Sequence, residues 1–447
     1  MLDCEYLVIG AGQTGMTVAF ELLERGKKLI LVDQNRIGGS YLFTKEFPKY
    51  LLQEYSISFA RSLSIFKEHT PTYQALIDYR HKIHRQIAKS INQKSKEIEK
   101  KFHKFKNFQF VLGTAEFISK SLVEVNSESE RHLINFKNCV IATGQDQFVK
   151  PSIKGLEEID FLYQDNCFLF EFIPSQIALI GLSAETLEIA SIYSNLGIKV
   201  DIIDKHKNLQ EAFDGIDRSV INFLFKKLFA KEVELHLGFD VKEVKYNRKK
   251  EIVLKGEGQE TLTFPQIYLP IKESFSGKNL AISKIGIKST KNGILTDIYG
   301  KTSHSHIYAL GECNDRSNQL TKQFIIQEYL RRQFERNSLI KTIGKRKTSF
   351  SSLYFYVDAQ NPVFSIGLSD DKATHLYGNS IKNLIFHSDY SDGFVKIVYR
   401  DVNNKILGVS AAGDLCTQTK NLLLEAFEEG WDYRDLYSKL QIYLKSV

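Results

Sequence analysis

The run YLVIGAGQTGMTVAFELLERGKKLILVDQ, Tyr6 to Gln34, reads as a buried strand, a glycine turn, an amphipathic helix and a second buried strand ending in an acid. Gly10, Gly12 and Gly15 form GxGxxG directly between the first strand and the helix. Gly10 suits a tight turn, Gly12 lets a pyrophosphate approach the backbone, and Gly15 lets the helix lie close on the strand. The helix N-terminus offers unpaired N–H groups and a positive dipole end to phosphates. Asp33, closing the second strand, is placed to accept hydrogen bonds from an adenosine ribose. The stretch therefore predicts a dinucleotide-binding unit at the start of the chain.

The 447 residues leave room for two or three domains, each with its own core. Hydrophobic residues are 43% and charged residues 25%, an ordinary globular balance. No apolar run approaches the roughly 18 residues of a membrane span, and MLDCEYLVIG enters a strand directly, so neither a membrane segment nor a signal peptide is expected. Cys4, Cys139, Cys167, Cys313 and Cys416 are scattered, which suits a reducing cytoplasm better than a disulfide framework or a zinc site. Part of the net charge of +7 lies in YRHKIHRQIAKSINQKSKEIEKKFHKF, residues 79–105. There Ile83, Ile87, Ile91, Ile98 and Phe102 recur at helical spacing, which predicts a solvated amphipathic helix and not a nucleic-acid stripe. His304 and His306 alternate along a strand without a third ligand nearby, so no metal site is expected.

Two further segments narrow the fold. NCVIATGQ carries Ala142, Thr143 and Gly144, and resembles the strand-to-turn ATG segment of two-dinucleotide flavoproteins. HIYALGECND resembles their closing motif, with Gly311 keeping the turn and Glu312 standing for the acid that contacts the flavin ribityl chain. LYFYVDAQNPVFSIGLSDDKA, GFVKIVYRDVNNKILGVSAAGD and LLLEAFEEGWDYRDLYSKL resemble the interface domain of the pyridine nucleotide-disulfide oxidoreductases, the family of dihydrolipoamide dehydrogenase and mercuric reductase. The resemblance implies an α/β protein with two Rossmann-like dinucleotide-binding domains and a C-terminal α+β dimerisation domain. It implies an FAD domain over residues 1–150 and 271–345, an NAD(P)-type domain over 151–270, and an interface domain over 346–447 that makes a homodimer. Gly39, Ser40 and Ala115 join the glycine turn, Asp33, Thr143, Gly144, Gly311 and Glu312 as the FAD-binding set it implies. KTIGKRKTSF, residues 341–350, reads as a polar, basic linker, and VKIVYRDVNNKILGVSAAG as a hairpin about an Asn-Asn turn.

The departures from the family are concentrated where its chemistry is done. GGSYLFTKEFPKYLL, Gly38 to Leu52, follows the frame GGxCxxxxCxPxK, but Tyr41 and Glu46 stand where the two redox cysteines would be. Neither a phenol nor a carboxylate can form a disulfide, so thiol–disulfide exchange is excluded there. The lysine of that frame would be Tyr50, with Lys49 one place early. One helical step rotates a side chain by about 100°, so Lys49 is not expected to substitute. Aligning from Gly430 and Leu436 places Tyr443 at the family's catalytic histidine, and the sequence stops at Val447 before the accompanying glutamate. Tyr41 and Glu46 thus become the candidate catalytic residues. For Glu46 two readings stand side by side, a solvated helix residue beside Lys45 and Lys49, or a carboxylate over the flavin ring.

The second glycine motif is altered as well. IALIGLSAETLEIASIYSNLGIKVDIID repeats the plan from Gly181 to Asp204, but Ser183 and Thr186 replace the other two glycines. Serine adds bulk where the pyrophosphate must come closest, and the branched threonine is expected to push the helix off the strand. Glu188 matches a glutamate that the family keeps near the nicotinamide. Asp204 favours NADH, although Lys205, His206 and Lys207 could accept a 2′-phosphate. The family's Gly-Arg-x-Pro-Asn segment is replaced by IYLPIKESFSGKNL, residues 267–280. The expected cofactors are FAD and, if this motif still binds, NADH or NADPH. The functions left open are an FAD oxidoreductase passing electrons from NAD(P)H directly to a small acceptor such as a quinone, a flavoenzyme acting on a non-nicotinamide substrate, and an FAD-bound dimeric regulator. All three would be cytoplasmic, with no nucleic-acid or membrane partner.

Overall fold

The computed structural model describes the chain apart from residues 66–72, 129, 146, 169–173, 214–215, 231–232, 259, 317–324, 327–328, 331–351, 357–360 and 446–447. The basic run read as a linker lies outside the described residues.

The opening strand β1 (Leu2–Ile9) is central to the first sheet, whose order is β3-β2-β1-β6-β5-β4. Here β2 is Leu29–Asp33, β3 Phe108–Leu112, β4 Thr114–Ser119, β5 Leu122–Asn126 and β6 Arg131–Ile141. β1 pairs in parallel with β2 and β6, and β6 turns back antiparallel on β5. Far along the chain, the strand Ile307–Ala309 returns to pair in parallel with β6, placing Ala309 opposite Ile141. Parallel strands are covered on both faces, which is why Leu7, Val8, Leu31 and Val32 are all inaccessible to solvent. Helix α1 (Gln13–Glu24) covers one face with Met16, Val18, Ala19, Leu22 and Leu23, a spacing that puts them on one stripe.

Between β2 and β3 come α2 (Gly39–Phe43), α3 (Glu46–Ile65) and α4 (Tyr73–Phe102). The expected amphipathic stripe of α4 is present. Ile83, Ile87, Ile91 and Phe102 are buried, while Lys82, Lys89, Lys94 and Lys96 face solvent. Buried Arg80 donates from Nε and Nη2 to the Leu196 carbonyl at 3.0 and 2.7 Å, fastening α4 to the end of helix α5 (Ala184–Asn195).

A second parallel sheet carries α5. Its strands run Glu234–Leu237, Lys199–Asp204, Gln176–Ile180 and Ile267–Tyr268 in spatial order. The C-terminal sheet is antiparallel, in the order Ser352–Tyr356, Pro362–Gly367, Lys405–Ala412, Phe394–Arg400, Ile381–His387. The hairpin expected there turns at Asp401–Asn404, with Asn404 in the left-handed region at φ 56°. Helix Asp414–Glu429 lays Leu423, Ala426 and Phe427 against this sheet. Charges join it to helix Arg218–Phe229. Lys396 lies 2.9 Å from Asp217 and 3.3 Å from Asp370, and Asp392 takes both Lys226 and Lys227. Among the described residues no helix is long and apolar enough to cross a membrane.

Candidate functional site

The C-terminal ends of β1, β2, β6 and Ile307–Ala309 meet at one edge of the first sheet, the place where open α/β sheets bind ligands. Gly10 turns there at φ 104°, and a Cβ on it would lie 2.3 Å from the Ala142 oxygen. That contact joins the first motif to the ATG segment, as does the bond from Ala142 N–H to the Ile9 carbonyl at 2.7 Å. A Cβ on Gly15 would lie 1.8 Å from the Gly10 oxygen, so this glycine is needed for helix α1 to sit where it does. Gly12 differs. A Cβ there meets nothing within 4 Å, and Gly12 precedes α1 with no side chain capping the first N–H groups.

The surrounding groups fit a dinucleotide placed in that open space. Gly39 comes so close that its Cβ would be 2.9 Å from Gly12 Cα, while the Ser40 side chain beside it is exposed. The Thr143 hydroxyl is buried without a hydrogen-bond partner among the described residues, a cost unless a ligand satisfies it. Gly144 follows at φ 72° with open space at its Cβ position. Asp33 accepts from Ala11 N–H at 2.7 Å and Asn35 N–H at 2.9 Å, which leaves lone pairs for ribose hydroxyls. The Asp33 carbonyl accepts from Gly113 N–H at 2.8 Å, which sets buried Ala115 just beyond the acid. Gly311, at φ 77°, packs on Thr14, and Glu312 beside it is exposed.

At the start of α3 the structure corrects one sequence expectation. Lys49, set aside on the helical offset, is the lysine that reaches inward, 3.1 Å from Glu188 and 3.1 Å from Glu46. Tyr50 is exposed. Lys49 and Tyr50 lie on the same helix, so the offset of one residue turns them to different sides, and the side that faces Glu188 is the one Lys49 holds. Burial pushes the Glu188 carboxyl above its usual range, with Lys49 pulling it back. Burial opposes the charge on Lys49, yet Glu188 and Glu46 outweigh it and hold the lysine above its ordinary value. The Glu46 side chain is 53% exposed, and Tyr41 is half-buried between the α3–α5 core and the core of the first sheet.

A sign for pH follows from this cluster. An acid whose folded pKa is raised binds more protons folded than unfolded, so its contribution falls as pH rises from the ordinary glutamate value through the raised folded one. Lys49→Met removes the cation that limits this, and the loss of stability measured by urea unfolding is expected to be larger at pH 7 than at pH 5.

Sequence reasoning missed a second charge cluster. Lys45, in the break between α2 and α3, contacts Glu273 and lies 3.8 Å from Asp165. Thr44 Oγ1 donates to Asp165 at 3.1 Å. Glu273 comes from the segment that replaces Gly-Arg-x-Pro-Asn, in a strand paired with Gln147–Val149. Glu312 lies within electrostatic reach of both Lys45 and Glu273. Lys45, Asp165 and Glu273 are each more than a hundred residues apart in sequence, and no local pattern marks them as partners.

The second glycine turn is built differently from the first. Gly181 turns at φ 88°, and Leu182 N–H donates to Asp204 at 2.6 Å, as Ala11 does to Asp33. Beyond this the likeness ends. Ser183 Oγ accepts from Thr186 N–H at 3.2 Å, and Thr186 Oγ1 accepts from Ser183 N–H at 2.8 Å, a reciprocal capping box. Thr186 is fully buried at the start of α5. Asp204 is also engaged by His206 through its N–H at 2.8 Å and its Nδ1 at 2.6 Å.

All five cysteines are buried and unpaired with one another. Burial pushes the thiols of Cys4 and Cys416 up to about 12 and those of Cys139 and Cys167 well above their ordinary value. The Cys313 thiol donates to the Ile141 and Leu310 carbonyls at 3.2 Å. His304 and His306 each place Nε2 against a backbone carbonyl, of Ile285 and Lys120.

Comparison with known proteins places this geometry in context. The family described as pyridine nucleotide-disulphide oxidoreductase matches residues 4–327. Dihydrolipoyl dehydrogenase of Buchnera aphidicola subsp. Schizaphis graminum is 25% identical over 459 aligned positions, covering 97% of this chain and 91% of its own. Mercuric reductase of Staphylococcus aureus is 22% identical, covering 99% of this chain and 80% of its own. Among solved structures, the HOCl-induced flavoprotein disulfide reductase RclA from Escherichia coli superimposes with a TM-score of 0.77 at 18% identity, over 96% of this chain and 94% of that one. Its Cu(II) complex gives 0.79, over 97% and 95%. At this identity the structural likeness speaks for the fold.

Proposed function

The chain belongs to the pyridine nucleotide-disulphide oxidoreductase family, whose members use FAD and NAD(P)H, and on that footing we propose an FAD-dependent oxidoreductase without a dithiol relay. Electrons would pass from the cofactor directly to a small acceptor such as a quinone, in a cytoplasmic homodimer. We take residues 1–150 and 271–345 as the FAD domain, 151–270 as the second dinucleotide-type domain and 346–447 as the dimerisation domain. When bound, FAD supplies two-electron chemistry that needs no cysteine.

The observation that carries this reading is an intact dinucleotide cradle beside a helix start, Tyr41 to Glu46, that holds no thiol. In this reading Gly12 and the first N–H groups of α1 hold the diphosphate, Asp33 takes ribose hydroxyls, and Glu312 meets the ribityl chain. Lys49 and Glu188 set a half-buried cation and carboxylate beside the reacting end. Glu46, half-exposed and bonded to Lys49, links that pair to solvent and can exchange protons there, while Tyr41 narrows the opening. A flavoenzyme whose reductant is not a nicotinamide is the second reading, favoured by the self-capped start of α5.

Two measurements test the proposal. Anaerobically photoreduced protein is expected to be reoxidised rapidly by a benzoquinone and to show no activity on lipoamide or glutathione disulfide. Native protein is expected to leave Ellman's reagent uncoloured, with five thiols appearing only on denaturation. Disulfide turnover, or a fast-reacting native thiol, would contradict the loss of the dithiol centre.

A further inference from the structure

The chain contains two copies of one nucleotide-binding plan, and they differ in what their helix starts are free to do. At α1 the residue before the helix is a glycine with open space at its Cβ position and no side-chain cap. At α5 the corresponding residue is Ser183, and its hydroxyl accepts from Thr186 N–H. Thr186 returns the bond to Ser183 N–H. Two of the amides at this helix start, those of Ser183 and Thr186, are therefore engaged inside the chain, and the Ser183 side chain stands where Gly12 leaves the approach clear. The ribose-binding acid has changed in parallel. Asp33 accepts two backbone N–H groups and is partly exposed, whereas Asp204 accepts two backbone N–H groups and also holds the His206 ring, and it is buried.

We propose that the second glycine turn is closed, so that this lobe holds no nicotinamide dinucleotide by its pyrophosphate and serves as a packing element. A helix N-terminus binds an anion because its first N–H groups lack partners. A reciprocal capping box removes that condition at two of these groups and holds a side chain across the approach, so the ligand would have to displace both bonds. The closed turn still has a use, since the same helix presents Glu188 to Lys49 and its C-terminus to Arg80. Taken with the oxidoreductase reading above, on which this clause alone rests, the electron donor is a small reductant that lacks a diphosphate.

Hydrogen exchange on the FAD-loaded protein, read by mass spectrometry, tests the closure. NADH, NADPH and ADP-ribose, each at about 1 mM, where even a weak site is half filled, are expected to leave exchange across residues 182–187 unchanged. Slowed exchange there on adding any of the three would overturn the proposal. The box itself is checked by Ser183→Ala, which is expected to speed exchange of the Thr186 amide at least severalfold while FAD content stays the same. An amide no faster in that variant would mean the cap does not hold the turn closed, and would equally sink the idea. Both results are independent of whether the flavin reacts with quinones.

Discussion

Gly12→Val is expected to yield a folded protein that purifies colourless, with FAD occupancy falling from near stoichiometric to nil. A Cβ at position 12 meets no protein atom within 4 Å, so the substitution does not disturb the packing of β1 and α1. The branched side chain instead fills the space through which a pyrophosphate must approach the N–H groups of α1. Gly15→Val makes the contrast. Its Cβ would lie 1.8 Å from the Gly10 oxygen, so it should lose FAD by misfolding the unit and not by blocking it. Circular dichroism and the visible absorbance of the two variants separate the outcomes. A yellow Gly12→Val protein would show that the diphosphate lies elsewhere.

Lys396→Met is expected to destabilise the protein by about 3–5 kcal/mol, the range found when one partner of a buried ion pair is removed. Lys396 lies in the strand Phe394–Arg400 and joins Asp217, the N-cap of helix Arg218–Phe229, with both groups almost wholly buried. Without the lysine, Asp217 keeps its bond from Ser219 N–H at 2.9 Å but carries an uncompensated buried charge. Adding Asp217→Asn removes the charge and preserves the cap, so the double variant should recover much of the loss. Urea unfolding of the two single variants and the double variant measures the coupling. Additive losses would show that the pair is not linked across the two lobes.

How far the sequence spoke for the structure depends on the range over which a signal acts. GxGxxG, its two strands and Asp33 lie within one short stretch, and each glycine has its own steric reason there, so the first unit was legible residue by residue. The stripe Ile83–Ile87–Ile91 was legible for the same reason, because helical spacing alone puts those side chains on one face. The hairpin at Asn403–Asn404 follows from turn chemistry. Lys49 was misjudged because a one-residue offset says that two side chains point apart but not which of them faces inward, and its partner Glu188 lies far away in sequence. At Ser183 and Thr186 the loss of glycines was visible, but the reciprocal bonds between their side chains and amides were not. The clusters Lys45–Asp165–Glu273 and Lys396–Asp217–Asp370 are tertiary, and their partners are found only once the chain is folded. The sequence therefore spoke more readily for units built from neighbouring residues than for the charge clusters that folding brings together.

The claim at the centre of this account is that the flavin stands alone as the redox group. An anaerobic titration with dithionite, followed by absorbance, counts the electrons that the protein takes up per FAD. A flavin paired with a redox disulfide takes up two electron pairs and shows long-wavelength absorbance from a thiolate against the oxidised ring when half reduced. With Tyr41 and Glu46 in place of the cysteines, a single pair per FAD is expected, bleaching the flavin with no long-wavelength band. Uptake of a second pair, or the appearance of that band, would contradict the account by revealing a thiol pair in electronic contact with the flavin.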